Sequence, residues 1–157
     1  MDTDAAITEF WAGARKALPG LPENPAVAWS FGATPKHADE LLNLVLEGTK
    51  TGTASSLWDH HTTGEPIPYV GEHSIILDGQ GSPRAIIETY DVQIALFTEV
   101  TAEHAHAEGE GDRTLKTWRE IHREFWKKYS ESPKGFREDM PVVCERFRVI
   151  YRGDPGN

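Results

Sequence analysis

The sequence predicts an α+β domain: a curved, mostly antiparallel sheet or small β-barrel, flanked by helices. Three observations carry this expectation. Helical and strand periodicities interleave in the order helix, strand, helix, strand, hairpin, short helix, helix, strand. The central strands follow one another too closely for βαβ crossovers, which need a dozen or more residues. At 157 residues the chain is about one domain, long enough to bury a core without disulfide or metal staples.

In chain order, Thr3 is placed to cap a helix whose apolar positions Ile7, Phe10, Trp11, Ala14 and Leu18 follow the helical period until Pro19-Gly20. Leu21 to Pro25 is proline-rich and extended. Residues 1–25 are therefore expected to be a helix and linker packed on a domain spanning 26–152. Ala26 to Phe31 alternates as a short strand through Val27, Trp29 and Phe31. Thr34-Pro35 opens the second helix, with Thr34 as N-cap and Pro35 at the first helical position. Ala38, Leu41, Leu42 and Val45 are its buried stripe. Trp58 to Tyr69, broken by Gly64, Pro66 and Pro68, is expected to be a loop with solvent-facing histidines. His73 to Asp78 and Arg84 to Val92 form a hairpin around a Gly- and Pro-rich connector. Thr101 to Gly109 is a short helix capped by Thr101 and stopped by Gly109. Thr114 to Tyr129 is a long one, and Val142 to Tyr151 a closing strand.

Composition narrows the function. Hydrophobic content of 38% and charged content of 26% are those of a soluble globular protein, and no apolar run reaches membrane-spanning length. The first ten residues hold three acids and no base, and Cys144 is alone within an apolar run. A reduced cytoplasm is the expected location, with Cys144 a small buried hydrophobe. A net charge of −9 argues against indiscriminate nucleic-acid binding. Of the 16 Lys and Arg, eleven follow residue 112, so any phosphate-facing surface is expected from the last third. On the long helix Leu115, Trp118, His122, Phe125 and Tyr129 gather on one side, which reads as core. Lys116, Arg119, Arg123 and Lys127 gather on another, as either a solvated face or a phosphate-positioning ridge.

The stretch with most chemical content is Glu47 to Ser55. A helix stops at Gly48, and the segment that follows carries four hydroxyls and one cation, Lys50, but no large apolar side chain. A polar connector and a functional site are both open readings. Two carboxylates are candidate partners for Lys50. Glu88 lies between Ile86 and Tyr90 on one strand face, either buried and paired or at an edge facing water. Glu108 stands in the last turn of its helix, at the negative end of the dipole and near Glu110 and Asp112. All of these resist ionisation, which makes it a candidate general acid or base, or else part of a solvated acidic loop. His60-His61 and His104-x-His106 do not have the geometry of a shared metal site: sequence neighbours rarely face one ion, and i, i+2 helix positions diverge by about 200°. No metal or cofactor is expected.

These residues carry a resemblance. Gly48-Thr49-Lys50-Thr51-Gly52-Thr53-Ala54-Ser55 resembles the G-x-K-x-x-T-x-R signature of the ASCH domain family, a PUA-like β-barrel group. Ile86-Ile87-Glu88 resembles the family's following strand. Glu103 to Asp112 together with Trp118 resembles its longer bacterial subgroup. Ser55 stands where the signature has arginine, so the contact made by that arginine is expected to be absent or supplied by the basic helix. The resemblance implies a pocket near Lys50 for an RNA base or nucleoside. Members of the family hydrolyse N4-acylated cytidines through a lysine, a threonine and a glutamate, or act as RNA-binding proteins or ribonucleases. Those three catalytic positions fall on Lys50, Thr53 and Glu108, the last through the T-x-x-H-A-x-x-E pattern of Thr101 to Glu108. Gly48, Ser55, Glu88, Arg119 and Arg123 are the expected substrate contacts. The chemistry is coherent: a hydroxyl attacks once a base takes its proton, a lysine desolvated in a pocket can serve as that base, and a glutamate can orient the lysine or protonate the leaving amine. The expected partner is a modified nucleoside or single-stranded RNA. A ribonuclease would hold phosphates near Lys50, with a divalent ion near Glu108, Glu110 and Asp112.

Overall fold

The computed structural model of the protein describes residues 3–153. Its elements are helix α1 (Thr3–Ala17), strand β1 (Val27–Trp29), α2 (Pro35–Leu46), β2 (Gly52–Ser56), α3 (Leu57–Thr63), β3 (His73–Leu77), β4 (Pro83–Leu96), a 3-10 turn (Phe97–Glu99), α4 (Ala102–Glu108), α5 (Leu115–Tyr129) and β5 (Pro141–Arg152). The α+β class expected from the sequence is what forms. The sheet order is β1-β3-β4-β5-β2. It is mixed, because β1 runs parallel to β3 while β3/β4 and β2/β5 are antiparallel. The side chain of Thr3, expected to cap α1, lies outside the described residues.

Contacts divide the chain into two compact units. The first takes in the chain up to Leu46, His73–Glu88 and the chain from Arg148. The second takes in Glu47–Glu72 and Thr89–Phe147. In the first unit the apolar stripe of α1 packs on the sheet: Trp11, Ala14 and Leu21 are buried with Ile75 and Ile86, and Phe10 meets Tyr151 edge-on at 5.3 Å. The Trp11 indole N–H, which would be costly to bury unpaired, donates to the Pro22 carbonyl at 2.9 Å. α2 is capped as expected, the His37 amide donating to Thr34 Oγ1 at 3.1 Å, and it buries Ala38, Leu41, Leu42 and Val45.

The second unit has an aromatic core of Phe97, Trp118 and Trp126 with Val100, Ala105, Met140, Val142 and Cys144. The α5 stripe differs from expectation at its end. Trp118, His122 and Trp126 are buried, whereas Tyr129 is 37% exposed. A row at spacing four stays on one side of a helix, and Tyr129 falls off that row. Cys144 is buried and its thiol is pushed up to about 12, chiefly by desolvation, which suits the inert role expected of it.

Trp58 to Tyr69 is not all loop. Its first residues form α3, with Ser56 Oγ accepting the Asp59 amide at 3.3 Å and Gly64 closing the helix in the left-handed conformation at φ 77°. Trp58 packs on the second core, and Asp59 Oδ1 accepts from Ser130 Oγ and from the amides of Glu131 and Ser132. Tertiary partners outweigh the turn formers downstream.

Candidate functional site

The site is built where β2, α4 and α5 meet within the second unit. α4 forms because Thr101 Oγ1 accepts the His104 amide at 3.1 Å and Gly109 ends the helix at φ 76°. Gly109 is required on two counts. Any L side chain is strained at that φ, and a Cβ would stand 2.7 Å from the Thr49 carbonyl oxygen. This close approach lets the chain entering β2 dock on the end of α4. The Thr51 amide donates to the Ala107 carbonyl at 2.7 Å, and the Phe147 amide donates to the Thr51 carbonyl at 3.0 Å. Gly48, at φ 84°, turns the chain out of α2 toward this segment and is exposed.

Lys50 is thereby carried inside, at 2% exposure. Its Nζ donates to the carbonyls of Gly52 at 2.8 Å and Glu108 at 3.4 Å, and lies 3.5 Å from Glu108 Oε1 and 3.8 Å from Glu110 Oε2. Glu108, 1% exposed, is surrounded by donors. His104 Nε2 and Trp118 Nε1 donate to Oε2 at 2.7 and 2.6 Å, and His122 Nε2 donates to Oε1 at 3.2 Å.

The expectation that Glu108 resists ionisation is corrected. Burial does push its carboxyl up, but the charges of His122 and Lys50 and the hydrogen bonds from His104 and His122 outweigh it and hold the group well below the ordinary range. The helix end it occupies matters less than the cations folded onto it. Burial works against a charged His122 too. The Glu108 charge and hydrogen bond, the Glu110 charge and the Trp118 carbonyl raise its pKa nonetheless. As an imidazolium, His122 donates from both nitrogens, Nδ1 reaching the Trp118 carbonyl at 2.9 Å, while its ring stacks on Trp118 with centroids 4.2 Å apart.

Ligand atoms of Glu108, Glu110 and His122 lie within 4.8 Å of one another, a spacing that could hold a metal ion. The charge is already compensated there, since Lys50 and His122 face the same two carboxylates. A divalent ion would have to displace one of these cations. Asp112 is committed elsewhere: its Oδ1 accepts from the Thr114 amide and hydroxyl at the start of α5.

Thr53 and Ser55 occupy the other face of β2. Gly52 faces Ala107, where an added Cβ would be 3.4 Å from the Ala107 Cβ. Ala54 packs on the aromatic core, and Ser56 Oγ meets Met140. Strand alternation then turns Thr53 and Ser55 to the opposite side, beside their β5 partners Glu145 and Val143. Glu145 is 7% exposed and its carboxyl is raised, chiefly by burial, although Thr89 Oγ1 donates to its Oε2 at 2.5 Å. Ser55 Oγ lies 2.8 Å from His60 Nε2. His60 is therefore not a solvent-facing loop residue, whereas His61 is exposed.

The other expected contacts are dispersed. Glu88 pairs with His73 at 3.3 Å and Arg148 at 3.6 Å within the first unit, in place of the pairing with Lys50 weighed from the sequence. Past Ile87 the buried face of β4 passes to Thr89, and Tyr90 is exposed, so Glu88 sits on the outer side. Arg123 is engaged by Glu138 at 3.1 Å and lies over the Phe97 ring. Arg119 donates to the Thr98 carbonyl at 3.1 Å and keeps one buried N–H, at Nε, unpaired. His106 Nδ1 meets Arg113 at 3.2 Å rather than sharing a ligand with His104.

Sequence reasoning missed Glu145, Trp118 as a donor, and His122 as a charged partner. A signal for Glu145 was present: one acid between Val143 and Phe147 on an apolar strand face, the same signature that singled out Glu88.

Among solved structures, a protein of Enterococcus faecalis V583 superposes with a TM-score of 0.84 at 35% identity, covering 93% of this chain and 88% of that one. An ASCH domain from Lactobacillus crispatus JV V101 gives 0.80 at 28% identity, covering 96% and 94%. No curated protein matches the sequence. The ASCH domain family model matches residues 27–151, and this match, with the α+β PUA-like fold, establishes that the chain belongs to the ASCH domain family.

Proposed function

We propose that the chain is a hydrolase acting on a nucleobase amide, removing an N4-acyl group from cytidine. The observation that carries this reading is the buried pairing of Lys50 with Glu108, Nζ to Oε1 3.5 Å, at the start of the strand that presents Thr53 and Ser55. Because Nζ is 2.8 Å from the Gly52 carbonyl oxygen, peptide geometry puts it within about 6 Å of the Thr53 Cα.

Amide hydrolysis needs a hydroxyl to attack the carbonyl carbon and a positive group near the oxygen on which negative charge develops. Lys50, enclosed at 2% exposure, acts on the strand rather than on a substrate oxygen: its ammonium holds the Gly52 carbonyl and so fixes the backbone that carries Thr53 and Ser55. Glu108, held ionised, is a positioning residue for that ammonium rather than a proton donor. Thr53 is the attacking hydroxyl that the family pattern puts forward.

ASCH domains are associated with RNA binding, so the cytidine can be free or within single-stranded RNA. The net charge of −9 and the engagement of Arg123 with Glu138 favour a small substrate. No helix among the described residues is long and apolar enough to cross a membrane. We take the working location to be the cytoplasm, on the solitary buried cysteine.

Incubation with N4-acetylcytidine and with single-stranded RNA, each with and without EDTA, tests the proposal. Cytidine and acetate, formed equally in EDTA, are expected. Cleaved RNA with no cytidine released would replace the proposal with a ribonuclease, and RNA bound but unchanged would leave a binding module. Lys50→Arg is expected to lose turnover, because the larger, planar guanidinium does not fit a site sealed to 2% exposure.

A further inference from the structure

The face of β2 opposite the Lys50–Glu108 cluster carries a hydroxyl with a base already in contact. Ser55 Oγ lies 2.8 Å from His60 Nε2, and His60 Nδ1 lies 3.0 Å from the Glu65 carbonyl oxygen. A carbonyl only accepts, so Nδ1 must carry the proton that bridges to it. In the neutral ring Nε2 is then the lone-pair nitrogen, and Ser55 donates its hydroxyl proton to it. This is the arrangement an activated nucleophile requires: hydroxyl, base, and a third group that fixes the tautomer of the base. The chain holds it in place from both ends. Ser55 is paired with Val143 in the β2/β5 ladder, and His60 sits in α3, which is capped by Ser56 and closed by Gly64. Both side chains are half-buried.

We propose that Ser55 and His60 are a nucleophile–base pair for acyl transfer. The assignment rests on the hydrolase reading above and puts Ser55, whose hydroxyl has a base in contact, in place of Thr53 as its attacking group. Ser55 Oγ forms a bond to the acyl carbonyl carbon while its proton passes to His60 Nε2. The tetrahedral adduct then breaks its C–N bond, and His60 returns the proton to the departing cytosine N4 amine. Water, losing a proton to His60, attacks the resulting Ser55 ester. The carboxylic acid leaves, and Ser55 regains its proton. Thr53 and Glu145 share this face of the sheet, so a carbonyl presented to Ser55 has close by the Glu145 carboxyl, whose pKa is raised chiefly by burial. Where the family signature has an arginine, this chain thus has a serine with a histidine of its own.

A fluorophosphonate probe tests the pair without reference to any substrate, since the attacking oxygen displaces fluoride and keeps the phosphorus. The wild-type chain is expected to take one adduct, mapped by peptide mass to Ser55. His60→Asn keeps an N–H donor for the Glu65 carbonyl but removes the base, and is expected to slow labelling by about 100-fold or more. An adduct elsewhere, no adduct, or an unchanged rate in His60→Asn would overturn the assignment; the first two need no variant. N4-acetylcytidine separates this inference from the reading beneath it. Turnover that survives Ser55→Ala overturns the pair and leaves the hydrolase standing. Labelling of Ser55 without turnover of N4-acetylcytidine removes that substrate and leaves the pair.

Discussion

The two units bury different things. In the first, the core cluster of Trp11, Ala14, Leu21, Ile75 and Ile86 is hydrocarbon but for one satisfied indole N–H, and the buried polar side chain nearby, Ser74, is uncharged. The second places Lys50, Glu108 and His122 beside Phe97, Trp118 and Trp126, so two cations and a carboxylate share an interior with an aromatic core. Apolar burial is non-directional and tolerates exchange among side chains of similar volume. A buried ion cluster tolerates no single deletion, because each member is the reason its neighbours remain charged. The second unit gives up tolerance of this kind for an ammonium held in one place, beside a strand that presents hydroxyls.

The largest break in this comparison is expected at Glu108. Glu108→Ala leaves Lys50 and His122 buried against one carboxylate, Glu110, and is expected to cost about 3–5 kcal/mol, read as a lower denaturant midpoint. Lys50→Met with Glu108→Leu, removing both charges together, is expected to recover part of that loss. A double variant as unstable as the single one would show that the carboxylate acts through its hydrogen bonds to His104 and Trp118 instead.

The pH dependence is next in size. Glu108, with its folded pKa lowered, contributes stability that is present above about 4.5 and is lost as pH falls through the folded value. His122, with its folded pKa raised, contributes stability present below about 6.5 and lost as pH rises through the folded value. Unfolding midpoints across pH are therefore expected to fall on both sides of a plateau. Glu108→Gln should remove the acid-side fall due to that residue, and His122→Gln the alkaline-side fall. Glu145 has a raised carboxyl pKa, so its contribution is present below about 4.5 and is lost as pH rises. Glu145→Gln is accordingly expected to gain on the wild type toward neutral pH.

In the apolar unit, Ile75→Val is expected to cost about 1 kcal/mol, with turnover of N4-acetylcytidine unchanged. A comparable loss of turnover would show that the first unit does more than support the fold. The smallest effects are expected on the outer face of α5. Lys116 is exposed, and Lys127 meets Glu124 at 4.0 Å with both side chains more than half exposed. Replacing both with glutamine should leave the denaturant midpoint in place. If they contact RNA, the salt slope of binding should flatten by about 0.7 per lost phosphate contact. An unchanged slope would assign them to a solvated surface.

What could be read from the sequence is what local physics decides. The caps at Thr34 and Thr101, the left-handed stops at Gly48 and Gly109, and the stripe Ala38, Leu41, Leu42, Val45 all formed where their spacing indicated. So did the hairpin and the pairing of Lys50 with Glu108, the last through a family pattern rather than through spacing. The charge state of Glu108 could not be read this way. Its own helix argues for a neutral carboxyl, and His122 and Lys50, one from α5 and one from the start of β2, decide the opposite. Nor could α3, since its Trp58 and Asp59 find partners about 70 residues further along the chain. The Ser55–His60 contact is short in sequence yet depends on α3 turning His60 back over the strand it has just left. Periodicity and capping act over one or two turns of chain, so the sequence by itself determined the elements. Ionisation and the convergence of side chains depend on which elements fold against one another, and only the tertiary structure decided those.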